Sequence, residues 1–158
     1  MILLKVTAAL VVLVSLSISP QKQKCRCLPA SAEQQTSWGR QNVIIKHDEI
    51  LKSLRGKVVV VANDQPLAGV LVEVYDKPEG LLMEWKEREA RKAQQRRIAA
   101  CVTGADGQFG FPELPAGKYE LRCSKPGEWD PTSAYVVIAP KGPHSKKSTI
   151  TVPMHLSQ

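Results

Sequence analysis

Aromatic residues are scarce: two Phe, three Tyr and three Trp make up only 5% of the 158 residues. Such a sparse set excludes a long aromatic-lined binding groove and leaves the core to aliphatic side chains. Histidine is nearly absent too, and His47, His144 and His155 stand in separate polar segments. No second close cysteine pair or nearby His completes a four-ligand set around Cys25-Arg26-Cys27, so no metal is expected. The 10 Gly and 11 Pro lack the period that collagen requires. Acidic residues are missing altogether from residues 1–32.

What stands there instead is Lys5 followed by an aliphatic run from Val6 to Val14 that fades into Ser15, Ser17 and Pro20. This is the pattern of a signal peptide. The run falls short of the ~20 apolar residues of a comfortable bilayer span. The leader is read as residues 1–32, ending at Ala30-Ser31-Ala32, with cleavage after Ser17 or Ser19 as the earlier choice. Membrane contact is expected only through this segment, if it is kept. Its removal lowers the +7 charge: four of the 22 basic residues go, leaving 18 against 15 acids, or +3. That balance is ordinary for a soluble domain and makes no case for nucleic acid.

In a secreted chain, paired cysteines are the default. With the leader gone, Cys101 and Cys123 remain as disulfide candidates, closing a loop of about 20 residues. If Cys25 and Cys27 survive cleavage, other pairings open.

Residues 33–53 form a polar lead-in with one apolar stretch, Val43-Ile44-Ile45, that reads as an edge strand or a tucked segment. Beyond it, short apolar runs alternate with turn residues. Gly56–Ala62 is β-branched on both faces and predicts a buried strand. In Gly69–Tyr75, Val70, Val72 and Val74 share one face, and Leu71, Glu73 and Tyr75 share the other, which predicts one solvated side. Residues 78–97 interrupt the rhythm. From Leu81 to Arg97 the run holds no Gly, Pro or β-branched residue, and Glu84 and Glu87 each precede an Arg by four, which predicts a helix. Strands resume at Ile98–Thr103, Gln108–Phe111, Lys118–Cys123, Ala134–Ile138 and Ser148–Val152. Asp106-Gly107 between the first two predicts a hairpin. About seven strands imply an all-β, antiparallel Greek-key sandwich over 54–156, with one helical insertion between its second and third strands.

Three segments carry a resemblance. Pro66-Leu67-Ala68-Gly69-Val70-Leu71-Val72-Glu73-Val74, Thr103-Gly104-Ala105-Asp106-Gly107-Gln108-Phe109-Gly110-Phe111 and Leu114-Pro115-Ala116-Gly117-Lys118-Tyr119-Glu120-Leu121 occur in this order. Together they resemble the carboxypeptidase regulatory-like domain family, among the transthyretin-like, or prealbumin-like, sandwiches. The resemblance implies a non-catalytic module for stability, adhesion, sugar binding or assembly. The insertion at 78–97 departs from the family pattern.

Catalysis is not expected. The closing Tyr-Arg-Gly-Ser of transthyretin-like hydroxyisourate hydrolases is absent from Pro153–Gln158, and no serine lies in a nucleophile-elbow motif. No cofactor is implied. The expected role is a secreted or periplasmic binding, adhesion or assembly module of the cell envelope, with an envelope or extracellular polymer or a partner protein as ligand. Its candidate surface is the insertion, through Trp85, Arg88, Arg91 and Arg96. Within residues 84–97, six basic residues face three acids, a modest excess with no interleaved aromatics to stack on bases. The alternative is a starch-binding-like carbohydrate module using exposed Trp, Trp85 or Trp129. A transthyretin-like hydrolase stands behind both.

Overall fold

The computed structural model describes residues 26–28, 43–76, 94–127 and 129–157. Within them lie nine strands: β1 (Arg26–Leu28), β2 (Val43–Leu51), β3 (Leu54–Val60), β4 (Leu71–Tyr75), β5 (Arg97–Val102), β6 (Gln108–Phe111), β7 (Gly117–Ser124), β8 (Thr132–Ile138) and β9 (Ile150–Met154). They form a six-stranded sheet ordered β1-β5-β4-β7-β8-β2 and a three-stranded sheet ordered β6-β3-β9. Every third strand crosses to the smaller sheet. The leader expected over residues 1–32 lies outside the described residues, apart from the three residues of β1.

The core between the sheets is aliphatic, as the composition requires. Leu51, Leu54, Val58, Val70, Val72, Val74, Leu121 and Met154 are fully buried there, joined by Phe109, Phe111 and Tyr119. Leu51 and Leu54 flank the two-residue bend at which the chain leaves the large sheet for the small one, so the corner is held by two buried side chains. Gly56 faces the Phe109 ring. A Cβ there would lie 2.2 Å from the ring, so only glycine lets the aromatic lie across β3.

The structure corrects three expectations and extends a fourth. The sheets are mixed, because β2 runs parallel to β8 and β3 parallel to β9. Of the two readings of Val43–Ile45, the edge strand holds: it opens the nine-residue β2 at one edge of the large sheet, longer than expected because charges fill its middle. The Asp106-Gly107 turn makes no hairpin: β5 and β6 lie in different sheets, and the turn is the corner between them. The helix expected over 78–97 does not reach its C-terminal end, since Gln95 and Arg96 are not helical and Arg97 opens β5. Residues 77–93, with the rest of that insertion, lie outside the described residues.

At the Asp-Gly corner, Gly107 takes φ 68°, and a Cβ would meet the Val58 carbonyl at 2.5 Å. Its carbonyl accepts from Val58 N at 2.9 Å, and Leu67 N donates to the Val58 carbonyl at 3.0 Å. Thr103 completes the joint. Its hydroxyl donates to Leu67 O at 2.8 Å and accepts from Val70 N at 3.0 Å. Its backbone exchanges hydrogen bonds with Gly69 N and Val70 O. The first two motifs read from the sequence are therefore one structural unit. The third is a tyrosine corner, in which the Tyr119 hydroxyl donates to Pro115 O at 3.0 Å.

Candidate functional site

The outer face of the six-stranded sheet is not solvated at β4, contrary to its alternating pattern. Glu73 is 1% exposed, and on the neighbouring β7 Glu120 and Arg122 are also buried. Strand register brings opposite chemistry together: Glu73 stands across from Arg122, and Tyr75 across from Glu120 on one side and Arg97 on the other. Cross-strand neighbours on one face lie close enough to interact directly.

The contacts form a chain of charges. Arg97 Nη1 donates to Glu73 Oε1 at 2.8 Å, and Arg122 Nε donates to Glu120 Oε1 at 2.8 Å. Gln95 links these strands to the end of the insertion: its Nε2 donates to Glu120 Oε2 at 2.7 Å, and its Oε1 accepts from Arg122 Nη2. The Arg122 guanidinium sits 4.2 Å from the centre of the Tyr75 ring. Burial, then the Glu73 charge, holds the Tyr75 hydroxyl above its ordinary pKa. Two carboxylates and two guanidiniums cancel, so the cluster is neutral while remaining rich in donors and acceptors. Glu73 Oε2 is buried without a hydrogen-bond partner.

Both ends of the insertion are fastened beside this cluster. Arg96 N donates to Asp76 Oδ1 at 2.7 Å, and Asp76 N donates to Arg96 O at 3.1 Å. The Arg96 side chain, 79% exposed, points outwards with its Nε 3.7 Å from Asp76 Oδ2. Of the residues singled out in the sequence, Trp85, Arg88 and Arg91 lie outside the described residues. Trp129 is far along the chain, half-buried and packed against the core, with Lys125 Nζ 5.9 Å from its ring centre. Lys125 also donates to Ala68 O at 2.6 Å.

Cys101 and Cys123 do not bond to each other. Both stand opposite Val72, one on each side of β4. Two strand spacings of about 4.8 Å separate them, beyond the ~7 Å Cα limit for a bridge. Burial pushes the Cys123 thiol far up from its ordinary pKa, the Glu73 charge adding to the effect. His144 and His155 are exposed and His47 is half-buried on β2. Among the described residues, no three metal-ligating side chains come together.

Glu73, Gln95, Arg97, Glu120 and Arg122 were not singled out in the sequence. For Glu73, Glu120 and Arg122 the signal was there, as charges on the outward positions of two alternating strands, but only the pairing of β4 with β5 and β7 sets opposite signs side by side.

The carboxypeptidase regulatory-like domain family matches residues 53–153. The chain belongs to this family. No individual curated protein matches the chain significantly. Among solved structures, the regulatory-like domain is similar to 5-hydroxyisourate hydrolase of Klebsiella pneumoniae, at 17% identity and a TM-score of 0.39, over 69% of this chain and 87% of that one. It is also similar to a 9R-lipoxygenase from Cyanothece PCC8801, at 18% identity and a TM-score of 0.30, over 75% of this chain and 18% of that one. The family motifs map onto the joint between the sheets and onto the tyrosine corner. The charged cluster lies on the opposite face of β4 and β7, away from both.

Proposed function

We propose that this regulatory-like domain is a non-catalytic binding module of the cell envelope, secreted or periplasmic, which presents its 77–93 insertion to an anionic polymer or an acidic partner protein. The observation that carries the reading is the fastening of both insertion ends. Asp76 and Arg96 close its base, while Gln95 and Arg97 anchor its exit in a buried, charge-balanced cluster on the six-stranded sheet. A fixed base lowers the ordering cost of whatever the insertion binds. Residues 77–93 carry five basic residues against four acids, so the attraction to an anion rests on the local group Arg88, Arg91 and Lys92 and not on net charge. The apolar, Lys-bearing leader supports an exported location.

The test is retention on an immobilised anionic polysaccharide at rising salt. Arg88→Ser with Arg91→Ser is expected to elute at clearly lower salt than the parent, with the melting temperature unchanged. Arg96 is left in place because its pair with Asp76 belongs to the base. Equal elution of parent and variant would overturn the reading.

A further inference from the structure

Strand β1 adds to the edge of the large sheet by pairing antiparallel with β5, and the register sets Cys27 directly opposite Cys101. Arg26 faces Val102, and Leu28 faces Ala100. Directly opposed residues of an antiparallel pair have Cα atoms about 4.5–5.5 Å apart, inside the ~4.4–6.8 Å window of a disulfide. No other register in the described sheets opposes two cysteines. Cys101 is fully buried, at a position shielded from bulk solvent.

We propose that Cys27 and Cys101 form a disulfide that fastens β1 to the edge of the six-stranded sheet. The bond forms by exchange with a disulfide oxidant, either a protein disulfide or glutathione disulfide. One cysteine thiolate attacks the oxidant's disulfide, releasing one oxidant thiol and leaving a mixed disulfide. The second cysteine thiolate then displaces the other oxidant sulfur. The two protein thiols are oxidised, the oxidant takes up two electrons and departs as two thiols, and the protons given up by the cysteines end on those thiols. The bridge fixes the short strand that covers the edge of β5, which would otherwise present unpaired backbone groups to another chain. It also requires that the exported chain keep Cys27, placing cleavage after Ser17 or Ser19 rather than after Ala32. The proposal is independent of the binding role.

Trypsin separates all four cysteines, because it cuts after Lys24, Arg26, Arg97 and Lys118. The full chain is oxidised with glutathione disulfide, its remaining thiols are alkylated after unfolding, and the digest is mapped by mass. The expected product joins peptide 27–40 to peptide 98–118, with Cys123 alkylated. A link from Cys101 to Cys25 or Cys123, or alkylation of all four cysteines, overturns the proposal. So does an exported chain whose first residue lies beyond Cys27. Reduction is expected to lower the melting temperature of the oxidised parent and to leave that of Cys27→Ser unchanged, which separates a bridge from mere strand pairing.

Discussion

Glu73 occupies an exacting position. It is buried on the outer side of a central strand, shares one oxygen with Arg97 and leaves the other without a hydrogen bond. Removing one member of a buried ion pair strands the other in a poorly solvated place, at a cost of about 3–5 kcal/mol. Glu73→Ala is therefore expected to lose stability on that scale in urea unfolding, and Glu73→Gln, which keeps an acceptor for Arg97, to lose clearly less. Equal losses would mean that the carboxylate's charge is not what Arg97 requires. Glu73 also shows where alternation misleads. Its pattern is that of a half-solvated strand, but a charge balanced by cross-strand partners can occupy a buried outer face as well as an exposed one.

Among the elements, the joint between β3, β4 and the Asp-Gly corner holds the two sheets in register. Thr103 serves it with four hydrogen bonds, two from its hydroxyl and two from its backbone. Thr103→Val keeps the shape but leaves the Leu67 carbonyl and Val70 N–H without their side-chain partner, and is expected to cost about 1–3 kcal/mol. An unchanged urea midpoint would show that the backbone pair alone suffices. Most of this was legible in advance. The runs around Val58, Val72, Phe109, Tyr119 and Val152 predicted strands at the observed places, because β-branched and aromatic residues between glycines have few alternatives. Partners were not legible. An Asp-Gly corner reads the same whether its flanking strands pair or part, and β2, legible at Val43–Ile45, conceals the rest of its length behind Lys46, His47, Asp48 and Glu49. The charged cluster was hidden for the same reason, since it exists only between strands distant in sequence. The cysteine pairing failed likewise, because loop length says nothing of an intervening strand.

Over the whole molecule, β2 closes the far edge of the large sheet and is tied to the segment leading into β9 by Glu49. Its carboxylate accepts from Lys146 at 2.5 Å and from Ser148 at 3.0 Å. These bonds, Lys146 first, hold the Glu49 pKa below its ordinary value. A lowered carboxylate pKa gives a stabilising contribution that is present above the unfolded pKa and lost as pH falls through the folded one. Glu49→Gln is accordingly expected to melt slightly below the parent at neutral pH and together with it in strong acid. A gap that persists in acid would contradict the electrostatic origin.

The two parallel pairings have a mechanical consequence. β3, early in the domain, lies alongside β9 at its end, in register from Gly56 opposite Ile150 to Val60 opposite Met154. A pull on the two ends of the domain drags these neighbours past each other along their length. The ladder is then loaded as a whole, in shear, where a hairpin would open one rung at a time. The fold thus has the build of a tether that resists stretching.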